Sequence, residues 1–225
     1  MIWILAFVLV LIVVVGPSQW VKWVLKRYSA ERADFPGTGG DMARHLIIRL
    51  ELGGVQVEET EGGDHYDPSS KTVRLTKDKL DGRSLTAVVV AAHEVGHALQ
   101  DHLGEASFKL RSGLAVFSYI FQKIAPAALI AAPLLAVWNP AISRWAFMAA
   151  IGSMLVSTLV SLVTLPVEWN ASFGKALPIL QSGDYLSDDD MRGARRILFA
   201  AAMTYVAGSL ISLLSVGAWL RMLRR

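Results

Sequence analysis

His93 and His97 stand four residues apart in the stretch AAHEVGHALQ, residues 91–100, and Glu94 directly follows the first of them. On an α-helix, residues four apart share a face, so the two imidazoles can meet one ion with the carboxylate beside them. Zinc suits neutral imidazole, and hydrolytic zinc sites take three protein ligands with a fourth position left for water. In that scheme His93 and His97 are metal ligands and Glu94 is the general base. The competing view is a solvated polar stripe on a helix. Against it, the motif follows LTAVVVAA, an apolar run that would bury the helix, and buried histidines and glutamates need partners. The chain has no cysteine, so a metal must use histidine, carboxylate or water.

The third ligand follows by elimination. A metzincin-type site would want histidine at 103 and glycine at 100, where this chain has Leu103 and Gln100. His102 is five residues past His97, roughly 140° around the helix, and faces elsewhere. Glu105 is too near to fold back. The next acidic residue is Glu168, in TLPVEWNAS, and after it come only Asp184 and Asp188 to Asp190 in a polar stretch. A carboxylate at a membrane boundary is expensive unless hydrated or paired, and metal ligation would satisfy Glu168.

These residues must be positioned by a chain that is unusually apolar. Of 225 residues, 53% are hydrophobic, and the mean hydropathy is +0.43, which points to a membrane protein. The formal charge of +3 is scattered rather than gathered in a stripe, so nucleic acid is not an expected partner. Ile2 to Val15 is apolar and is followed by Trp20, Lys22, Trp23, Lys26 and Arg27, an aromatic belt and charged stop. Further apolar blocks run from Gly113 to Trp138, Trp145 to Val167 and Ile197 to Leu220, with Lys123 inside the first of them. Between the first and second blocks the chain has globular punctuation. A helix is expected over Asp41 to Leu52 with a stop at Gly53 and Gly54, short strands at VQVEE and KTVRLT, and a long helix from Ser84 to His102 ending at Gly104. Ser187 and Asp190 form a capping pattern before the last helix.

Basic residues set the orientation. Lys22, Lys26, Arg27, Arg32, Lys109, Arg111, Lys175, Arg192, Arg195 and Arg196 fall on the side of the soluble part, against Arg144, Arg221, Arg224 and Arg225 on the other. The positive-inside rule places the soluble part in the cytoplasm, with the basic tail opposing it. Two crossings separate His97 from Glu168, so both lie on one face of the bilayer.

The segments DHYDP, KTVRL, AAHEVGHALQ, LPVEWNAS and AAMTYVAG resemble the YugP-type family of bacterial membrane zinc metallopeptidases over nearly the whole chain. More distantly, the chain is similar to HtpX and CAAX-endopeptidase gluzincins. The resemblance implies one zinc ion per chain held by His93, His97 and Glu168, with Glu94 as catalytic base, a peptide or protein substrate, and multi-pass residence in the bacterial plasma membrane. In those gluzincins the glutamate helix carries Glu-x-x-x-Asp. Here Ser172 takes the aspartate position, so Asn170 or Ser172 would have to orient a zinc histidine. KTVRLT, with Val73 and Arg74, resembles the edge strand that receives extended substrate, and His65 of DHYDP is a candidate near the oxyanion or metal. In a turn before a strand, His65 is more often structural.

The fold expected is an α+β membrane protein, mostly helical, with about four transmembrane helices and a small gluzincin-like soluble part that holds a short β-sheet and the His-Glu-x-x-His helix. Its expected divisions are an N-terminal anchor (1–28), a soluble zinc-binding catalytic part (29–112), a transmembrane hairpin (113–167), a cytoplasmic segment with the third ligand (168–196), and a C-terminal transmembrane helix and basic tail (197–225). Two other functions stay open. One is a site-2-type intramembrane protease, because 17 residues lie between Arg83 and Asp101; that class takes its third ligand from Asn-Pro-Asp-Gly, and WNPAIS lacks the aspartate. The other is a non-catalytic metal-binding membrane scaffold.

Overall fold

The computed structural model describes residues 2–223. The side chains of residues 1–14 and 207–225, with scattered ones in between including Tyr205, lie outside the described residues. The chain forms two compact units, Met1–Lys109 with Pro166–Thr204, and Leu110–Leu165 with Tyr205–Arg225.

The first unit is built around a helix α4 that is buried on nearly every side. After α1 (Ile2–Arg27), α2 (Gly39–Arg49) starts at Thr38, whose Oγ1 accepts from the Asp41 N–H at 3.1 Å while Asp41 Oδ2 accepts from the Thr38 N–H at 2.9 Å. This reciprocal cap satisfies two orphan donors and, chiefly through the Thr38 N–H, holds the Asp41 carboxyl below its ordinary range. The expected glycine stop at Gly53 and Gly54 comes late. The chain leaves the helix at Leu50, Glu51 takes the left-handed conformation (φ 54°), and the Leu52 N–H closes back on Ile47 O at 3.0 Å. Burial of Leu52 anchors this non-glycine cap.

Three short strands follow: β1 (Gln56–Glu59), β2 (His65–Asp67) and β3 (Thr72–Leu75), in the order β1-β3-β2. β3 pairs parallel with β1 (Val57 opposite Val73) and antiparallel with β2 (Tyr66 opposite Val73). The strands at VQVEE and KTVRLT are as expected, and DHYDP adds one that three residues are too few to reveal by alternation. The turn from β2 to β3 is closed by Asp67, whose Oδ1 accepts from Ser69 N–H at 2.9 Å, with Lys71 at φ 54°. Hydrogen bonds from Ser69 and Arg74 hold the Asp67 carboxyl far below its ordinary range.

α3 (Lys77–Leu80) leads to α4 (Leu85–His102), capped by Ser84, whose Oγ accepts from Ala87 N–H at 3.1 Å, and followed by Gly104 at φ 67°. α2, β2, β3 and the segment after α6 all pack on α4, which is why its buried set runs from Leu85 to Gln100 and includes His93, Glu94, His97 and Gln100. α6 (Pro140–Trp169) continues without a break into seven π-helical residues, Asn170–Ala176, and then α7 (Leu177–Ser182). Pro178 cannot donate to the carbonyl four residues back and its ring crowds it. The Leu177 N–H accordingly reaches Ser172 O, five residues back, and the turn widens. α8 (Asp188–Leu223) starts at Ser187, whose Oγ accepts from Asp190 N–H at 3.2 Å, the expected capping pair. Its early residues Ala194, Ile197 and Leu198 are buried in this unit.

In the second unit, α5 (Ala106–Trp138) and α6 are separated by Asn139, whose Oδ1 accepts from Ala141 N–H at 2.9 Å. Val137 is 92% exposed and Trp138 87%. Ser153, Ser161 and Thr164 return their hydroxyl hydrogens to carbonyls four residues back, at 2.8, 3.1 and 2.7 Å. Lys123 Nζ lies 4.3 Å over the exposed Tyr119 ring.

The expectation of four transmembrane helices needs correction. Among the described residues, one helix is long and apolar enough to cross a membrane, the continuous Pro140–Ser182, whose most apolar window has a mean hydropathy of 2.1. The first and last expected spans fall largely on side chains outside the described residues.

Candidate metal centre

α4 presents His93 and His97 one turn apart, with ring centroids 4.8 Å apart and planes at 76°. Glu168, on the last turn of α6, enters from across the unit. Its Oε2 lies 3.3 Å from His93 Nε2 and 3.4 Å from His97 Nε2. All three side chains are buried, Glu168 with 2% of its surface exposed. The approach is close because Gly96, between the histidines, carries no side chain: a Cβ there would sit 2.9 Å from Ala171 O of the π segment.

This donor set fits zinc. One ligand atom from each residue lies within 4.8 Å of the others, forming a set that can hold a metal ion. Tetrahedral coordination at about 2.05 Å puts neighbouring donors about 3.3 Å apart, which the two Glu168–histidine separations match. Two imidazole nitrogens and a carboxylate oxygen are also a donor set that zinc takes in hydrolytic sites.

Compared with known families, residues 3–224 match the one described as "Putative neutral zinc metallopeptidase". The chain belongs to this family. It is also 35% identical, over a 215-residue alignment covering 92% of this chain and 92% of the other, to a Bacillus subtilis (strain 168) protein named "Putative membrane protease YugP". No solved structure matches it.

For a member of this zinc metallopeptidase family, the surroundings of the three candidate ligands matter as much as the candidates themselves. His93 Nδ1 lies 3.2 Å from Ser172 Oγ, which also lies 3.4 Å from Leu198 O on α8. Ser172, at the position where gluzincins carry aspartate, therefore touches a candidate ligand directly. Asn170 reaches the site through an intermediary: its Oδ1 accepts from Gln100 Nε2 at 2.8 Å, and Gln100 Oε1 lies 2.9 Å from His97 Nδ1. Sequence reasoning passed over Gln100, whose only signal is a polar residue three after His97 on an otherwise buried helix. Glu94 is buried on α4 next to His93.

The remaining candidates are not gathered here. β3 is the central strand, paired on both sides, so Val73 and Arg74 do not form an open edge, and the expectation of an edge strand there is overturned. Val73 is buried, and Arg74 is engaged by Asp67 at 2.6 Å and Glu58 at 3.5 Å. His65, on the outer strand β2, is exposed, with Nδ1 2.8 Å from Gly63 O. Its neighbour Tyr66 points inward. It donates to Asp101 Oδ2 at 2.8 Å and packs on Phe108, which packs on the His97 ring. Burial and the Asp101 bond push the Tyr66 phenol well above its ordinary range. His102 is exposed, and Glu105 pairs with Lys175 at 2.7 Å.

Proposed function

We propose that this chain is a membrane-anchored zinc metalloendopeptidase of gluzincin type, with one zinc ion held by His93, His97 and Glu168 and with Glu94 as general base. The observation that carries this is the convergence of three buried donor atoms from α4 and α6, with the carboxylate oxygen 3.3 and 3.4 Å from the two imidazole nitrogens. When bound, zinc supplies Lewis acidity toward water and the scissile carbonyl. Glu94 takes the proton from the attacking water and delivers it to the leaving amine. The apolar enclosure by Phe108 and α4 keeps competing water away and strengthens these charges.

Anchoring is supported by the apolar Pro140–Ser182 helix and by a group of partly exposed aromatic rings in which Trp20 and Trp169 meet Phe199 at 6.0 and 6.3 Å, residue types that favour a bilayer interface. We place the site at the cytoplasmic surface on the basic-residue asymmetry. An intramembrane protease with α4 as a spanning helix is less well supported, because protein encloses α4 from the sheet, α2 and the π segment. A closed structural zinc site would need a fourth protein ligand, and among the described residues no further histidine or carboxylate joins the group.

Glu94→Gln should keep stoichiometric zinc and lower peptide-hydrolysis kcat by at least about 100-fold. Unchanged turnover in the purified variant would remove Glu94 from the role of base.

A further inference from the structure

Gln100 is completely buried one turn past His97, and its amide is the centre of a network with a fixed direction. Val167 O, 3.0 Å away, can only accept, so the Gln100 atom facing it is the Nε2 amino group. The second Nε2 hydrogen goes to Asn170 Oδ1. The remaining atom, Oε1, can only accept, so His97 Nδ1 must be the donor across their 2.9 Å contact. A neutral ring protonated at Nδ1 keeps its Nε2 lone pair, and that is the nitrogen that faces Glu168.

We propose that Gln100 is a positioning residue that sets the tautomer of His97 for metal ligation and ties that imidazole to the helix carrying Glu168. Both acceptors of its amino group, Val167 and Asn170, flank Glu168 closely in sequence. Gly174 makes room for the second: a Cβ at 174 would lie 2.7 Å from Asn170 Nδ2. The network also explains the amide at this position. A carboxylate would accept from His97 equally well but would turn an oxygen toward Val167 O, where a donor is needed.

This inference rests on the zinc reading for its purpose, and two readouts separate them. The first is the ring 15N shifts of His97 in the metal-free full chain in detergent, which report the tautomer. The second is zinc affinity by chelator competition. The parent should show His97 Nδ1 carrying a proton, whatever Nε2 carries toward Glu168 in the metal-free chain. Gln100→Met, of similar shape but without hydrogen bonds, should show mixed tautomers and bind zinc about 10 to 100-fold more weakly. Gln100→Glu should retain the Nδ1 tautomer and lose less than about tenfold in affinity. A structural role alone would lower thermal stability in both and change neither tautomer nor affinity in the folded protein, and that result overturns the inference. Should Gln100→Met not fold, Gln100→Glu still decides: mixed tautomers in it also overturn the proposal. A parent with the expected tautomer that binds no zinc would sink the metallopeptidase reading and leave the positioning of His97 standing.

Discussion

Polar groups are gathered inside one unit of this chain, and apolar side chains face outward in the other. In the first unit, Glu168, His93, His97, Gln100 and Ser172 are all buried, and each has a polar neighbour on another element or one turn away. In the second, Leu134, Val137, Trp138, Trp145 and Leu159 are exposed, and the hydroxyls of Ser153, Ser161 and Thr164 turn back on their own helix. The comparison teaches that mean hydropathy alone says little about either unit. Apolar residues enclose polar groups in one case and form the outer surface in the other.

The strongest way to break this contrast is at the ligands. Glu168→Ala and His93→Ala should each lose stoichiometric zinc and bring hydrolysis to background, whereas Leu159→Ala in the second unit should leave zinc content unchanged. Full zinc retention in both ligand variants would exclude this constellation. Next in size, Leu159→Arg should cost about 2.5 to 3.5 kcal/mol if the exposed apolar face meets lipid near the centre of the bilayer. It would be read as a fall in membrane-recovered protein with unchanged zinc per folded chain. Recovery equal to that of the parent would mean that this face does not meet hydrocarbon. The smallest effect contrasts two glycines. A methyl at Gly96 meets Ala171 O at 2.9 Å, while at Gly152 it meets nothing within 4 Å. Gly96→Ala should destabilise by about 1 to 3 kcal/mol, and Gly152→Ala should be neutral or stabilising by up to about 1 kcal/mol, both measured by thermal or denaturant unfolding. Equal effects would erase the distinction between tight and open packing.

The ligand helix was legible because its chemistry is local: four-residue spacing, a serine cap and a terminal glycine are all written within α4. Glu168 was legible for a different reason, the scarcity of acids, since none stands between Glu105 and Glu168. What escaped depends on distant partners. β3 is central only because β1 and β2 close on both its edges, and nothing within KTVRLT reveals that. Gln100 gains its meaning from Val167 and Asn170, on a helix that returns much later. The widened turn after Glu168 reflects Pro178 acting on a helix that the apolar pattern alone would continue as α.

The separation of the ligands along the chain has a consequence for biosynthesis. Ser172 lies 79 residues after the histidine it steadies, and Glu168 arrives just before it. On the proposed reading, a growing polypeptide that has already released His93, Glu94 and His97 still lacks its third ligand. The three-residue donor set is complete only when the long apolar helix that carries Glu168 has been made, so the order of synthesis would itself delay metal capture until most of the chain exists.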